Sequence, residues 1–407
     1  MISRRKSIQL LSSIPFAGLL FEGLNSITIN TSKISPSYRD FYKELGIRTF
    51  INATGTHTFL TGSLMRPEVL EAINYASHQY VNLLEMQDKV GARIATLLDC
   101  EAAMVTAGAA SALTLGTAAT ITGTDPQKII QLPNLPGPQL EVIVQKSHRF
   151  GYDHAVRNTG VKMIEVETKR ELERAVNSRT VMMLFAHHAS NTGKIKDQEF
   201  VDLGKKYNLP TFIDCAASVP PEENLWKYTK MGFDLVTFSG GKGLRGPQSA
   251  GVLLGRKDLI DAARLQVPPY GNTIGRGMKV NKEEILGMMV ALEEYLKIDH
   301  ARERKELEER VELISNTARS VPGVNTEIVV QEFGNHVPQV RVFWDETRIK
   351  LTPEQVSDKL RFGHPSIETI TLPWLGDGLF VNIWMARPGE ERIVAVRLKE
   401  VLTDALG

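Results

Sequence analysis

Apolar runs of strand length recur through the middle of the chain, at residues 102–106, 141–145, 162–166, 181–186, 211–213, 235–238 and 250–254. Between them lie stretches in which apolar positions return every three or four residues, the period of a half-buried helix. Repeated strand-helix-strand order predicts an α/β fold with a mostly parallel central sheet covered by helices. In such sheets ligands bind beyond the carboxyl ends of the strands. Ahead of the sheet, residues 38–48 predict a short amphipathic helix and 50–56 an extended segment. Residues 67–98 carry one long helical pattern, with Val69, Ile73, Val90 and Ile94 among its core positions. A second long helix is expected over 282–311, rich in Glu, Lys and Arg on one side and in Leu and Met on the other. Strand-like runs in 322–345 and 366–385 and a closing helix over 391–406 predict a smaller C-terminal α+β domain. The expected organisation is a signal segment (1–31), an N-terminal arm (32–60), a large ligand-binding domain (61–285) and the small domain (286–407).

Composition narrows the function. A chain of 407 residues is long enough for two domains and a large core. Lys and Arg number 48 against 47 Asp and Glu, for a net charge of +1. That balance argues against a protein whose main work is gripping nucleic-acid backbone, and no nucleic-acid partner is expected. The two cysteines, Cys100 and Cys215, fall in no CxxC or Cys/His cluster, so neither a disulfide framework nor a structural metal site is expected. The first residues carry Arg4-Arg5 after Ser3 and then a modest apolar run from Ile14 to Phe21. This pattern resembles a bacterial twin-arginine export signal, which implies a periplasmic protein exported folded and with its cofactor; a cytoplasmic location is the alternative. The apolar run is too short to span a bilayer, and no stable membrane partner is expected.

Three strand ends carry candidate chemistry. In Phe238-Ser239-Gly240-Gly241-Lys242 a buried strand runs into a glycine turn bearing a lysine. Desolvation there lowers the pKa of the amine and frees it to attack an aldehyde. Thr211-Phe212-Ile213-Asp214-Cys215-Ala216 sets a carboxylate at the end of another buried strand, where it needs a cationic partner such as a protonated pyridine nitrogen. The small Ala216 leaves room for a flat ring. In Thr106-Ala107-Gly108-Ala109-Ala110-Ser111 a strand ends in small residues where a helix begins, an arrangement suited to a phosphate, with the Ser111 and Ser239 hydroxyls as further donors.

Phosphate cradle, carboxylate and lysine, in this chain order, resemble the fold-type I pyridoxal-phosphate enzymes. Ile51-Asn52-Ala53-Thr54-Gly55, Ser239-Gly240-Gly241-Lys242 followed by Gly246-Pro247-Gln248-Ser249-Ala250-Gly251, and Ile274-Gly275-Arg276-Gly277-Met278-Lys279-Val280-Asn281-Lys282 are similar to the branch that contains the bacterial selenocysteine synthases and the glucosaminate-phosphate ammonia-lyases. The resemblance implies pyridoxal 5'-phosphate as cofactor, Lys242 as its Schiff-base lysine and Asp214 as the partner of the pyridine nitrogen. It further implies His148 stacked on the ring and Asn191 near the phenolic oxygen. Arg387, in the small domain, is the implied anchor for a substrate carboxylate, and Arg276 is placed to bind an anionic tail or, across a dimer interface, the cofactor phosphate.

The expected reaction is elimination with ammonia release from a small amino acid or amino sugar acid, through an α-carbanion. The alternatives are selenium transfer to seryl-tRNA, or aminotransferase or aldolase chemistry on a small amino acid. Selenocysteine synthases carry an additional N-terminal region that helps to hold tRNA, whereas here an export-like segment precedes the match. The resemblance also implies a homodimer or higher oligomer, with the glycine-rich stretch 270–276 reaching across to the neighbouring site.

Overall fold

The structure, a computed structural model, describes residues 39–407; the export-like segment with Arg4 and Arg5 lies outside the described residues. The chain divides into two units, Met1–Arg48 and Thr49–Gly407. In the described part of the first, one helical turn spans Phe41–Glu44, and the Asp40 carboxylate caps it by accepting from the Lys43 N–H at 3.0 Å. The helix expected over 38–48 is thus confined to its centre.

The second unit is built on a sheet of seven strands. These are β2 (Ala102–Thr106), β3 (Glu141–Gln145), β4 (Lys162–Val166), β5 (Thr180–Ala186), β6 (Thr211–Asp214), β7 (Leu235–Ser239) and β8 (Gly251–Gly255), while β1 (Ile51–Asn52) precedes them elsewhere. The spatial order is β2-β8-β7-β6-β5-β3-β4, and only β8 runs antiparallel to its neighbours. All seven sequence-expected strands are present, displaced by at most a residue. Their near-continuous apolar character follows from burial on both faces. One face packs against helices through Ile94, Phe185, Phe200, Ile213, Phe238 and Met288. The other packs against the helix Gly108–Thr122, which is buried on nearly all sides because it lies between the sheet and the outer helix Lys257–Arg264. Its threonines are tolerated there because their hydroxyls find acceptors: Thr114 donates to Ala155 O at 2.7 Å and Thr117 to Leu113 O at 2.7 Å.

Two long helices expected from periodicity are each broken. Residues 67–98 form Pro67–Ser77 and Leu83–Leu97, and residues 282–319 form Lys282–Tyr295 and His300–Arg319. At each break a capping side chain restarts the helix. Asn82 Oδ1 accepts from the Leu84 and Glu85 N–H groups, and Asp299 Oδ1 accepts from Arg302 N–H.

The smaller C-terminal α+β domain holds the antiparallel strands β9 (Val324–Val330), β10 (Pro338–Trp344) and β12 (Leu379–Val381), in the order β12-β10-β9. The short β11 (Ile367–Glu368) pairs in parallel with β1. Ala53 N–H donates to Glu368 O at 2.9 Å, and Asn382 N–H to Ala53 O at 2.8 Å. The run 51–55 is therefore stitched into the small domain, and from there the chain passes over to the large sheet.

Strand β2 is an edge strand whose outer polar groups are buried, and one side chain satisfies them. Gln87 Nε2 donates to Val105 O at 2.9 Å while its Oε1 accepts from Val105 N–H at 3.2 Å. Gln87→Leu leaves both backbone groups of a fully buried residue unpaired, at roughly 1–3 kcal/mol each. The expected result is a lowered urea midpoint with an unchanged m-value; a midpoint equal to that of the parent shows that the edge is satisfied in another way.

Candidate active site

The sheet register brings three strand ends together. Ser239 of β7 pairs with Gly251 of β8, and Gly251 pairs with Thr106 of β2, which leads directly into the helix Gly108–Thr122. This helix start closes on β8 so tightly that a Cβ on Gly251 would lie 2.8 Å from Ala109 N, which is why glycine occupies the position. No side chain caps the helix, and Gly108 enters it with φ +83°. The N–H groups of Gly108, Ala109, Ala110 and Ser111 are the ones a helix leaves without internal partners. Ser111 Oγ is buried and has no hydrogen-bond partner.

On the other side of β7 stands β6, whose last residue, Asp214, pairs with Thr237 of β7 and with Ala186 of β5. The Asp214 carboxylate is 7% exposed and accepts from Ala216 N–H at 2.9 Å. Burial pushes its pKa up, opposed by that hydrogen bond and by the charges of Lys242 and His188. Lys242, in the turn after β7, is largely buried; burial pushes its pKa down and Asp214 opposes the shift. Both groups thus feel the same desolvation, and each is the other's counter-charge. Lys242 has no ion pair of salt-bridge length among the described residues.

His148 is a buried residue of the sheet's end. It is 0% exposed, its Nδ1 accepts from Ala186 N–H at 3.2 Å, and its ring meets Phe185 edge-on at 4.4 Å. Gln145 closes the remaining side, with its Nε2 3.3 Å from His148 Nε2. No face of the imidazole is open to a stacked ring. The side chain that faces the strand-end crevice is instead His188. It lies two residues beyond Ala186, the register partner of Asp214, and its imidazole is exposed. Its charge is coupled to both Asp214 and Lys242, and Phe150 supports it edge-on at 5.1 Å. The signal the sequence offered for it is a polar ring just past a strand end. His187 is buried, with its Nδ1 2.6 Å from Ser218 Oγ.

A further imidazole reaches the site from the arm. The charge of Lys242 lowers the pKa of half-buried His57, after the larger effect of desolvation. Its turn is fixed to the lysine loop by Ser63 N–H donating to Gly241 O at 3.1 Å. Ser239 sits at the end of β7, its N–H 3.4 Å from Ala216 O, beside the lysine. Asn191 is exposed, and its carbonyl accepts from Lys196 Nζ at 3.3 Å. Arg276 and Arg387 are exposed, and neither is among the charges felt at Asp214 or Lys242. The sheet therefore gathers Lys242, Asp214, Ala216, Ser239 and the 108–111 helix start; it does not bring the two arginines to them.

Residues 50–322 match the family described as L-seryl-tRNA selenium transferase. The chain is 28% identical to the D-glucosaminate-6-phosphate ammonia lyase of Salmonella typhimurium, over 90% of this chain and 99% of that protein. It is also 28% identical to a 5'-C-glycyluridine monooxygenase-decarboxylase of Streptomyces, over 89% and 92% of the two chains. A solved D-glucosaminate-6-phosphate ammonia-lyase superposes with a TM-score of 0.78 at 27% identity, covering 90% of this chain and 99% of that one.

The two buried histidines behind the crevice make stability depend on pH. Burial lowers His148 to about 4 and His187 to about 3, against an ordinary value of 6.5. A lowered folded-state pKa means that the unfolded chain binds more protons below 6.5, so stability is complete above that pH and is lost as pH falls toward 4. Each histidine contributes at most about 1.4 kcal/mol per pH unit across this window. The melting temperature should fall steadily between pH 6.5 and 5. His148→Gln, which keeps an acceptor for Ala186 N–H, should flatten that slope; an unchanged slope assigns the dependence to other groups.

Proposed function

The chain belongs to the L-seryl-tRNA selenium transferase family and has the fold of the type I pyridoxal-phosphate enzymes, and on that premise we propose that it is a pyridoxal-phosphate-dependent lyase that releases ammonia from a small amino acid or amino sugar acid. The observation that carries the cofactor reading is the buried Asp214, electrostatically coupled to the part-buried Lys242, beside a helix start whose Ser111 hydroxyl is buried and unpartnered. The donor set fits the cofactor at each point: amides and a hydroxyl for a phosphate, a carboxylate for a ring nitrogen, an amine for an aldehyde.

Bound there, pyridoxal phosphate would supply an electron sink for the charge that develops at the substrate α-carbon. The protein's own residues set up that chemistry. The N–H groups of residues 108–111 and the Ser111 hydroxyl would bind the cofactor's phosphate. Asp214, unable to reach water, favours a protonated ring nitrogen and fixes the ring's orientation. The small Ala216 would leave room for a flat ring, and His188, coupled to both Asp214 and Lys242, is the imidazole that would meet it. The Lys242 amine, whose pKa burial lowers, would anchor the cofactor and take the α-proton. The family match also supports a second reading, group transfer at the same carbon. Coverage of nearly the whole ammonia lyase in sequence and in structure favours elimination. A screen of amino acids and amino sugar acids for release of ammonia and a 2-oxo acid tests it directly.

A second copy of the chain is the partner this reading needs. The face running from Leu70 through Tyr75, Tyr80, Val81 and Leu84 exposes large apolar side chains in series, more than a monomer usually leaves open. Tyr270, at the start of the glycine-rich stretch, is 39% exposed. Sedimentation should show a dimer or larger oligomer, and a fully active monomer excludes it.

Two substitutions separate the roles of the central pair. Lys242→Ala should remove the visible absorbance and the borohydride-trapped adduct while the melting temperature stays near that of the parent, because the amine has no packing role. Asp214→Asn should keep the adduct but lose roughly a hundredfold or more in turnover, about 2.7 kcal/mol of barrier. Turnover within about threefold of the parent, under ~0.7 kcal/mol, would move the ring-nitrogen role to another residue.

A further inference from the structure

The loops that follow β5 and β6 leave neighbouring strands, and one side-chain contact ties them together beyond the sheet. His187 opens the helical turn His187–Ala189, whose middle residue is His188. Its carbonyl accepts from Ser190 N–H at 3.1 Å and from Ser190 Oγ at 2.7 Å, so the backbone under His188 is fixed. Its Nδ1 lies 2.6 Å from Ser218 Oγ, on the loop that starts at Asp214. Ser218 is anchored in turn: its N–H donates to Cys215 O at 3.0 Å and its carbonyl accepts from Asn224 Nδ2 at 2.7 Å. His187 and Ser218 are 3% and 1% exposed. Burial keeps the ring neutral at ordinary pH, so protonation does not break the contact.

The same ring is where the small domain meets these loops. Phe333, between β9 and β10, stands edge-on to His187 with ring centroids 5.3 Å apart, and Tyr228 of the large domain does so at 5.2 Å. Two residues on, Asn335 Nδ2 donates to Thr56 Oγ1 at 3.2 Å, next to His57. On the lysine side the residue after Ser218 abuts the turn itself: a Cβ on Gly243 would lie 2.2 Å from Val219 O and 3.1 Å from the Trp384 ring of the small domain. A buried polar pair adds little net stability over an apolar pair of the same shape. What the hydrogen bond adds is a fixed distance between two loops that the sheet spaces only at their roots.

We propose that His187 is a positioning residue: through its hydrogen bond with Ser218 and its ring contact with Phe333, it sets the separation of the His188 imidazole from the Asp214 carboxylate and makes that separation depend on the seating of the small domain. His187 acts through its neighbours and touches no reacting group. What the separation serves, the fit of a flat cofactor, rests on the reading above. Misplacing such groups by about 1 Å costs up to roughly a hundredfold in rate, which gives a remote contact of this kind its leverage.

The test uses the full chain, in two arms. In the first, the cofactor-free protein is labelled at histidine and titrated by NMR, the His188 signal being identified by its loss in His188→Gln. Desolvation lowers the pKa of His188 below its ordinary 6.5, Asp214 opposes the shift and Lys242 adds to it; His148 and His187 are the other imidazoles that feel its charge. The midpoint should stay low in the parent and in Ser218→Thr, which keeps the hydroxyl, and move toward 6.5 in Ser218→Ala and in Phe333→Ala. A melting temperature lowered by Ser218→Ala with the His188 midpoint unmoved overturns the proposal, because the pair then only stabilises the core. Should Ser218→Ala fail to fold, Phe333→Ala, a change at a half-buried loop residue, decides alone. The double variant should shift the midpoint no further than the larger single change, since both act through His187; full additivity overturns the link to the small domain. In the second arm, pyridoxal phosphate is titrated into each protein. Ser218→Ala and Phe333→Ala should weaken its binding roughly tenfold and Ser218→Thr less than about threefold. Equal affinity throughout overturns the role of the separation in holding the cofactor. A parent that binds no pyridoxal phosphate defeats the cofactor reading, while the first arm still decides whether His187 sets the separation.

Discussion

Everything in the site depends on placing one carboxylate and one amine out of water beside each other. Each buried charge alone costs several kcal/mol, and the cost is offset only when a partner and hydrogen bonds are in place. Asp214 has one backbone N–H and the charges of Lys242 and His188; Lys242 has Asp214. That is a sparse set for two ionisable groups at such depth, and burial accordingly pushes both toward their neutral forms. The protein thereby holds a carboxylate that gains from a cationic ring and an amine ready to react. The same desolvation that destabilises the pair makes it useful.

The register of the sheet makes this placement possible. Asp214 ends β6 level with Ala186 of β5 and Thr237 of β7, so carboxylate, His188 and the lysine turn leave the sheet at one height. Beyond β7, the antiparallel β8 brings Gly251 under the start of the helix Gly108–Thr122, and the absence of a side chain there lets the helix amides descend to the same level. A one-residue slip of β6 would send Asp214 to the opposite face, since successive side chains alternate. The buried residues that fix the register, such as Phe212, Ile213, Val236 and Phe238, are thus as necessary to the chemistry as the polar groups, although none of them touches it.

The sheet, and the placement of Asp214 and Lys242 at strand ends, were legible in the sequence because doubly buried strands read as continuous apolar runs and these residues sit where such runs stop. The helix breaks at 78–82 and 296–299 were not legible from periodicity, because apolar positions continue in phase through both. Asn82 and Asp299, the capping residues inside each pattern, were the available signal. His148 misled for a different reason. A histidine just after a strand can turn toward the crevice or back under the sheet, and here the Ala186 N–H and the Phe185 ring draw it under. The contact between Arg245 and Leu64 joins segments 181 residues apart in sequence, and no local pattern encodes it.

The strand ends and the segments around them are consequently built from different materials. The groups of the proposed cofactor site come from the ends of β2, β5, β6 and β7, elements of one sheet whose spacing is fixed by backbone hydrogen bonds. Ser63 and Arg245 come from a crossing segment and a turn, joined to the sheet by a few backbone contacts. Sequence change in the first set alters the depth and register of Asp214 and Lys242, and so the reaction's electron sink. Change in the second leaves that register alone. Loops mounted on a rigid scaffold vary more readily than the scaffold.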